Sequence, residues 1–249
     1  MNKYKGLILA AGRGSRMGST TERSHKCLTI LEGKTLLDWQ LSALRAADVQ
    51  DITVVRGYRS EMLQGDFKTA ENPRWSETNM VGTLFCAPKM ETETIISYSD
   101  IVYSSDHIEK LKNQDGDIVI TADKKWLDLW STRFENPLDD AESFKTNDGV
   151  LTEIGNDEDS IDNIQAQYMG LIKFTPRGWD IAFGTYNSLN KDEQDKLDMT
   201  SFLSMLMEKT DIKVAFIEGR WCEVDSNDDV KAYEIKLKEN KNWSHDWRK

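Results

Sequence analysis

Residues 7–26, LILAAGRGSRMGSTTERSHK, run an apolar segment straight into a glycine-rich turn that carries two arginines and closes on a lysine. No other stretch constrains the fold as tightly. Leu7-Ile8-Leu9-Ala10-Ala11 reads as a buried strand, and Gly12 and Gly14 allow backbone conformations and ligand approach that a Cβ would hinder. Successive N–H groups in such a turn form an anion-binding concavity, and Arg13, Arg16 and Lys26 add charge-assisted hydrogen bonds to phosphate oxygens. The turn predicts a nucleotide ligand.

Spacing narrows the choice. The glycines at 12, 14 and 18 miss the G-x-G-x-x-G dinucleotide fingerprint at Met17, and the P-loop pattern G-x-x-x-x-G-K-[ST] is absent. What remains is A-A-G-x-G-[ST]-R-[ML] with a lysine further on. Through Ala10-Ala11-Gly12-Arg13-Gly14-Ser15-Arg16-Met17 and Lys26, the chain resembles the sugar-phosphate and phosphocholine nucleotidyltransferase family, with His25 where that family usually has proline. The resemblance implies a Rossmann-like α/β fold. It also implies a nucleoside triphosphate held by Ala10, Ala11, Gly12, Arg13, Gly14 and Ser15, with Arg16 and Lys26 as catalytic cations.

At 249 residues the chain is long enough for one large α/β domain, and residues 1–249 are read as one. A formal net charge of −11 argues against nucleic acid and anionic membrane as partners. Arg13, Arg16, Arg23 and Lys26 concentrate positive charge locally, which suits an anionic small molecule. No apolar run approaches the roughly 20 residues of a membrane span, and GLILAA after Lys3 and Lys5 is too short for a secretory signal, so a cytoplasmic location is expected. Cys27, Cys86 and Cys222 are too scattered for a disulfide framework or a zinc site. His25, His107 and His245 show no metal spacing and are expected at the surface or in loops. Trp243 and Trp247 look exposed, and the sequence sets no oligomeric state.

Strand and helix signals alternate. Thr35 with Asp38 and the Leu37, Leu41, Leu44 period predict a helix over 35–47; DITVVRGY a strand; 59–63 a short helix; 67–70 a strand; and Met80–Ala87 a helix. TIISYS (94–99) and DIVITA (117–122) read as buried strands around a helix near 106–113. YMGLIKF (168–174) and KVAFIE continue the regular structure, with helices near 178–186, 200–209 and 226–240. The alternation predicts a mostly parallel sheet flanked by helices, with ligands at the carboxyl ends of the strands. Residues 123–163 are polar, Trp-bearing and aperiodic. They are read as loops and short strands over one sheet edge, forming a lid or acceptor-binding insert.

Two aspartates follow strand signals: Asp100 after IISYS, and Asp225 in CEVDSNDDV. In the resembled family, such aspartates coordinate the divalent ion on the nucleotide phosphates, which implies Mg²⁺ as cofactor with Asp100 and Asp225 as its ligands. A hard cation held by carboxylates, phosphate oxygens and water fits that chemistry. Asp228 and Asp229 read as helix N-terminal charges. Asn79 lies in ENPRWSETNMVGTLFCA, which resembles the cytidylyltransferase segment that brings an asparagine toward the nucleotide or acceptor; it equally suits a helix N-cap, and the two roles can coexist.

The implied reaction is nucleotidyl transfer, in which an acceptor phosphate or phosphonate oxygen attacks the α-phosphorus and expels pyrophosphate. The acceptor brings its own ionised nucleophile, so no protein base is required, and catalysis rests on positioning and charge neutralisation. The short length without a C-terminal β-helix resembles the short cytidylyltransferases, so CTP is the expected nucleotide. In KKWLDLWSTRF, the faces of Trp126 and Trp130 could hold an ammonium and Arg133 a phosphate or carboxylate, making phosphocholine, aminoethylphosphonate and phosphoglutamine-like compounds candidate acceptors. Trp126 and Trp130, spaced i to i+4, could equally pin this segment to the core. A sugar 1-phosphate acceptor and a catalytically silent nucleotide-binding subunit are the alternatives.

Overall fold

The computed structural model describes residues 3–14 and 24–249. β1 (Tyr4–Ala10) is almost wholly buried, as a central strand covered on both faces must be. A short turn at Lys26–Leu28 and a small hairpin, β2 (Ile30–Leu31) with β3 (Lys34–Thr35), lead into α1 (Leu36–Ala46). Thr35 Oγ1 accepts from Asp38 N at 3.0 Å, so the expected cap forms, and Leu37, Leu41 and Leu44 face the core. The chain continues through β4 (Asp51–Arg56), β5 (Lys68–Glu71), α2 (Met80–Leu84), β6 (Glu93–Tyr98), β7 (Ile101–Tyr103), α3 (Ser105–Asn113) and β8 (Ile118–Asp123). Then come α4 (Trp126–Arg133), β9 (Glu142–Asn147), β10 (Val150–Asp157), β11 (Gln167–Phe174), α5 (Pro176–Asn187), α6 (Lys191–Lys196), α7 (Met199–Met207), β12 (Ile212–Ile217), β13 (Trp221–Glu223) and α8 (Asn227–Glu239).

Among the described residues the main sheet has the order β5-β4-β1-β6-β11-β8-β12-β10-β9. The β5–β4, β4–β1, β1–β6 and β8–β12 pairs are parallel, whereas β11 runs antiparallel between β6 and β8. From β1 the chain steps outward to β4 and β5, then returns to β6 on the other side of β1. The crevice outside the carboxyl ends of β1 and β6 is therefore a switch point, where open α/β sheets bind ligands. The glycine loop leaves β1 there, and Asp100 follows β6 there.

Several expectations change. α2 stops at Leu84 instead of reaching Ala87, because Phe85 leaves the helical conformation shortly before Pro88, whose ring disfavours helix in the residue before it. Residues 123–163 are not loops and short strands lying over an edge. They form α4 and the β9–β10 hairpin, which is itself the outer edge of the sheet. The hairpin turns at Asp148-Gly149, both at positive φ (49° and 74°), the two-residue connection that matches strand twist. α4 follows Trp126, Leu129 and Trp130, an apolar set at i, i+3 and i+4.

His25, His107 and His245 are all buried, not at the surface; His25 and His245 do lie outside the helices and strands, whereas His107 sits in α3. His245 Nε2 lies 2.9 Å from Asp123 Oδ2, an oxygen that also accepts from Trp221 Nε1 at 2.8 Å. Trp243 and Trp247 are buried too: Trp243 lies against Tyr233, and Trp247 meets Trp39 edge-on at 5.9 Å. The C-terminal segment thus closes over β13 and α1. No helix among the described residues is long and apolar enough to cross a membrane.

Candidate active site

A two-stranded sheet of three-residue strands does the most for the site. β7 and β13 pair antiparallel, with Ile101 opposite Glu223 and Tyr103 opposite Trp221. Asp100 immediately precedes β7, and Asp225 follows β13 by two residues, so the antiparallel register puts both at one end. Val224 N donates to Asp100 O at 2.8 Å and closes that end. Carboxylate oxygens of Asp100, Glu223 and Asp225 lie within 4.8 Å of one another. Asp100 Oδ1 is buried and without a hydrogen-bond partner among the described residues. Three carboxylates gathered this closely, one of them carrying an orphaned buried oxygen, offer hard oxygen donors that fit a divalent cation such as Mg²⁺.

Lys26 reaches this cluster from the far side of the glycine loop. Its Nζ donates to Asp225 Oδ1 at 2.6 Å and Asp100 Oδ2 at 2.9 Å. Burial works against the ammonium charge, but the two carboxylates outweigh it and hold the pKa above the ordinary lysine value. The glycine at 14 is required by this arrangement: its φ is +66°, and a Cβ there would stand 2.7 Å from Lys26 Cβ. His25, in the position where the resembled pattern has proline, caps the turn that carries Lys26 by accepting from Cys27 N through Nδ1 at 3.2 Å. Its pKa falls to about 4, chiefly through burial. Arg13 is exposed beside the Tyr58 ring. Ser15 and Arg16 lie outside the described residues.

Two cavities flank this core. One, of about 120 Å³, is lined by Ala11, Gly12, Trp75, Thr78, Asn79 and Met80, together with Leu9 and Thr83. Asn79 therefore joins the glycine loop across a shared cavity while also capping α2, its Oδ1 accepting from Met80 N at 2.7 Å and its Nδ2 donating to Lys196 O. Asn72 braces the same wall by donating to Thr78 and Thr83 hydroxyls.

The other cavity, of about 180 Å³, takes its aromatic walls from Tyr98, Trp130, Tyr168 and Trp221 and its charge from Asp140, Glu142, Glu223 and Asp225. No lysine or arginine among the described residues lines it. A bulge in β11 between Tyr168 and Ile172 shapes one side, where Gly170, at φ +86°, lets the Tyr98 ring pass at a distance that a Cβ would obstruct. Burial raises Glu223 against the opposing pull of Arg133, and burial together with Asp198 and Asp140 raises Glu142.

The structure brings Trp130 to this cavity but neither Trp126 nor Arg133. Trp126 is packed inside, edge-on to Trp130 at 6.1 Å. Arg133, whose side chain is 1% exposed, is committed to carboxylates: Nη1 to Glu223 at 2.5 Å, Nη2 to Asp225 at 2.8 Å and Nε to Asp229 at 3.4 Å. Sequence reasoning missed Glu223, whose signal is the E-x-D spacing with Asp225. It also missed Glu142, Tyr98, Tyr168 and Trp75, which carry no local motif and converge only through the fold.

A glycine-rich loop at a sheet switch point, with a lysine that meets carboxylates at the ends of neighbouring strands, is the layout of a nucleotidyltransferase. The chain belongs to the MobA-like NTP transferase family, whose domain it matches over residues 6–152. It is 37% identical over 246 residues to a CTP:phosphoglutamine cytidylyltransferase of Campylobacter jejuni, covering 91% of this chain and 97% of that protein. A choline-phosphate cytidylyltransferase of Haemophilus influenzae is 30% identical over 101 residues, 39% of this chain and 43% of that one. The fold superposes on the inositol-1-phosphate CTP transferase from T. maritima with a TM-score of 0.74 at 20% identity, covering 96% and 97% of the two chains.

Proposed function

We propose that the protein is a Mg²⁺-dependent cytidylyltransferase that transfers CMP from CTP to a small phosphorylated or phosphonate acceptor bearing an ammonium group, releasing pyrophosphate. The observation that carries the acceptor class is the cavity beside Asp225. Four carboxylates and four aromatic rings surround it, no lysine or arginine among the described residues lines it, and burial raises Glu142 and Glu223. A cationic ligand group relieves that excess of negative charge and stacks on the rings. The cytidylyltransferase relatives support CTP.

In this reading the cavity lined by Gly12 and Asn79 takes the nucleoside, with the amide of Asn79 oriented by its cap and available to a base edge. The backbone of Ala10 to Ser15 cradles the triphosphate with Arg13. Lys26 and Arg16 meet the negative charge that develops as the acceptor oxygen attacks the α-phosphorus. Asp100, Asp225 and Glu223 would hold Mg²⁺, which when bound supplies charge neutralisation on the phosphates. The acceptor oxygen arrives ionised, so these residues hold and orient and no proton need be removed by the protein. Trp130 and Glu142 fix the ammonium end and thereby the approach of the phosphate end.

Pyrophosphate release, measured across the common nucleoside triphosphates with acceptor pairs that differ only in an amino group, tests the assignment. CTP with the amino-bearing member of each pair is expected to turn over fastest. Equal rates within the pairs, or preference for a sugar 1-phosphate, would contradict it.

A further inference from the structure

Arg133 touches neither cavity, yet it is the most heavily committed cation among the described residues. Its three guanidinium nitrogens face carboxylates from three successive pieces of chain: Glu223 in β13, Asp225 in the connecting loop, and Asp229 in the first turn of α8. Asp229 returns the connection to the backbone, since its Oδ2 accepts from the N–H groups of Asp225 at 2.9 Å and Ser226 at 2.8 Å. Asp225 is thereby gripped twice, at its own Oδ2 by Arg133 and at its backbone through Asp229, while Oδ1 turns to Lys26. The Trp130 and Phe134 rings, with the guanidinium carbon 5.4 and 4.9 Å from their centroids, keep the side chain from swinging away.

We propose that Arg133 is a positioning residue, which sets the carboxylates of Asp225 and Glu223 in the geometry that a divalent cation meets. The proposal rests on reading Asp100, Glu223 and Asp225 as the cation site. A forked guanidinium with separate donors for separate carboxylates can fix that geometry, and a lysine ammonium, as a single point charge on a flexible stem, cannot. Buried charge alone would make Arg133 a stability element; the three-way grip predicts an effect on metal binding as well.

The test is Mn²⁺ binding followed by electron paramagnetic resonance in the presence of α,β-methylene CTP, for wild type, Arg133→Gln and Arg133→Lys. Both variants are expected to weaken Mn²⁺ at least about tenfold, the range seen when groups that orient metal ligands are removed, with lysine giving no rescue. The Mg²⁺ concentration for half-maximal turnover should rise in parallel. A lowered melting temperature with unchanged Mn²⁺ affinity overturns the proposal. If Arg133→Gln does not fold, Asp229→Asn replaces it: the amide can still accept from the Asp225 and Ser226 N–H groups but no longer presents a charge to Arg133. Weakened Mn²⁺ in that variant supports the positioning role, and wild-type affinity overturns it. A wild-type protein that binds no Mn²⁺ overturns both this role and the cation site beneath it, whereas equal binding by wild type and all variants removes the positioning role alone.

Discussion

Lys26 Nζ lies 2.6 Å from Asp225 Oδ1, a contact that spans 199 residues of chain and ties the glycine loop to the start of the last helix. The same ammonium meets Asp100 Oδ2 at 2.9 Å, so the loop after β1, the loop after β6 and the loop after β13 share one charge. With its pKa held above the ordinary lysine value, Lys26 stays cationic throughout the physiological range.

Lys26→Ala should therefore slow transfer far more than it weakens acceptor binding. A fall in kcat on the order of 10²–10³ is expected from loss of a preorganised charge, with acceptor KM changing little. Steady-state kinetics with unchanged kcat and nucleotide KM would remove Lys26 from the chemistry.

Asp100→Asn keeps the size of the side chain and removes one anionic oxygen from the cluster. Turnover at limiting Mg²⁺ should fall by about 10²-fold or more, with partial recovery at high Mg²⁺ and little change in melting temperature. Wild-type turnover at limiting Mg²⁺ would exclude Asp100 as a ligand.

Trp126 and Trp130 separate by measurement because only Trp130 lines the acidic cavity. Trp126→Ala should destabilise the fold by roughly 3–5 kcal/mol without altering acceptor KM. Trp130→Ala should destabilise it and raise acceptor KM with little effect on nucleotide KM. Identical kinetic behaviour of the two variants would deny the cavity its proposed role.

Acid stability reports on His107. Burial, aided by Arg220 and Lys110 and opposed by Asp123 and Asp106, lowers its pKa from 6.5 to about 3. As pH falls the unfolded chain binds the proton first, so the stability tied to neutral His107 is complete above the unfolded value and is lost on acidification toward the folded one. Between about pH 6.5 and about pH 4.5 this amounts to roughly 2–3 kcal/mol. His107→Gln should flatten the pH dependence of urea unfolding over that range, and an unchanged slope would contradict the burial argument.

The sequence showed the glycine-rich loop after β1, the alternating elements and the two strand-end aspartates because each is local: an apolar run into glycines, a helical period, a carboxylate after a strand. It did not show β7 and β13, strands of three residues whose pairing brings Asp100 and Asp225 together. Nor did it show α4, whose apolar stripe is diluted by Asp128, Ser131 and Thr132, although Asp148-Gly149 was a readable hairpin turn. Arg133 read as a ligand for an anionic substrate because its carboxylate partners lie about ninety residues on, beyond any local pattern. The acidic cavity has the same origin. Tyr98, Glu142, Tyr168 and Trp221 come from four strands or strand ends, and only the sheet order makes them neighbours.

The central claim is CMP transfer to an amino-bearing acceptor through the Lys26, Asp100 and Asp225 site. Phosphorus-31 NMR of CTP incubated with Mg²⁺ and aminoethylphosphonate, phosphocholine, phosphoglutamine or, for comparison, a sugar 1-phosphate tests it most directly. The account predicts that at least one acceptor yields a new anhydride signal and pyrophosphate in equal amounts, with wild-type enzyme and not with Asp100→Asn at limiting Mg²⁺. Absence of that anhydride with every amino-bearing acceptor, or its appearance only with a sugar 1-phosphate, would contradict the account.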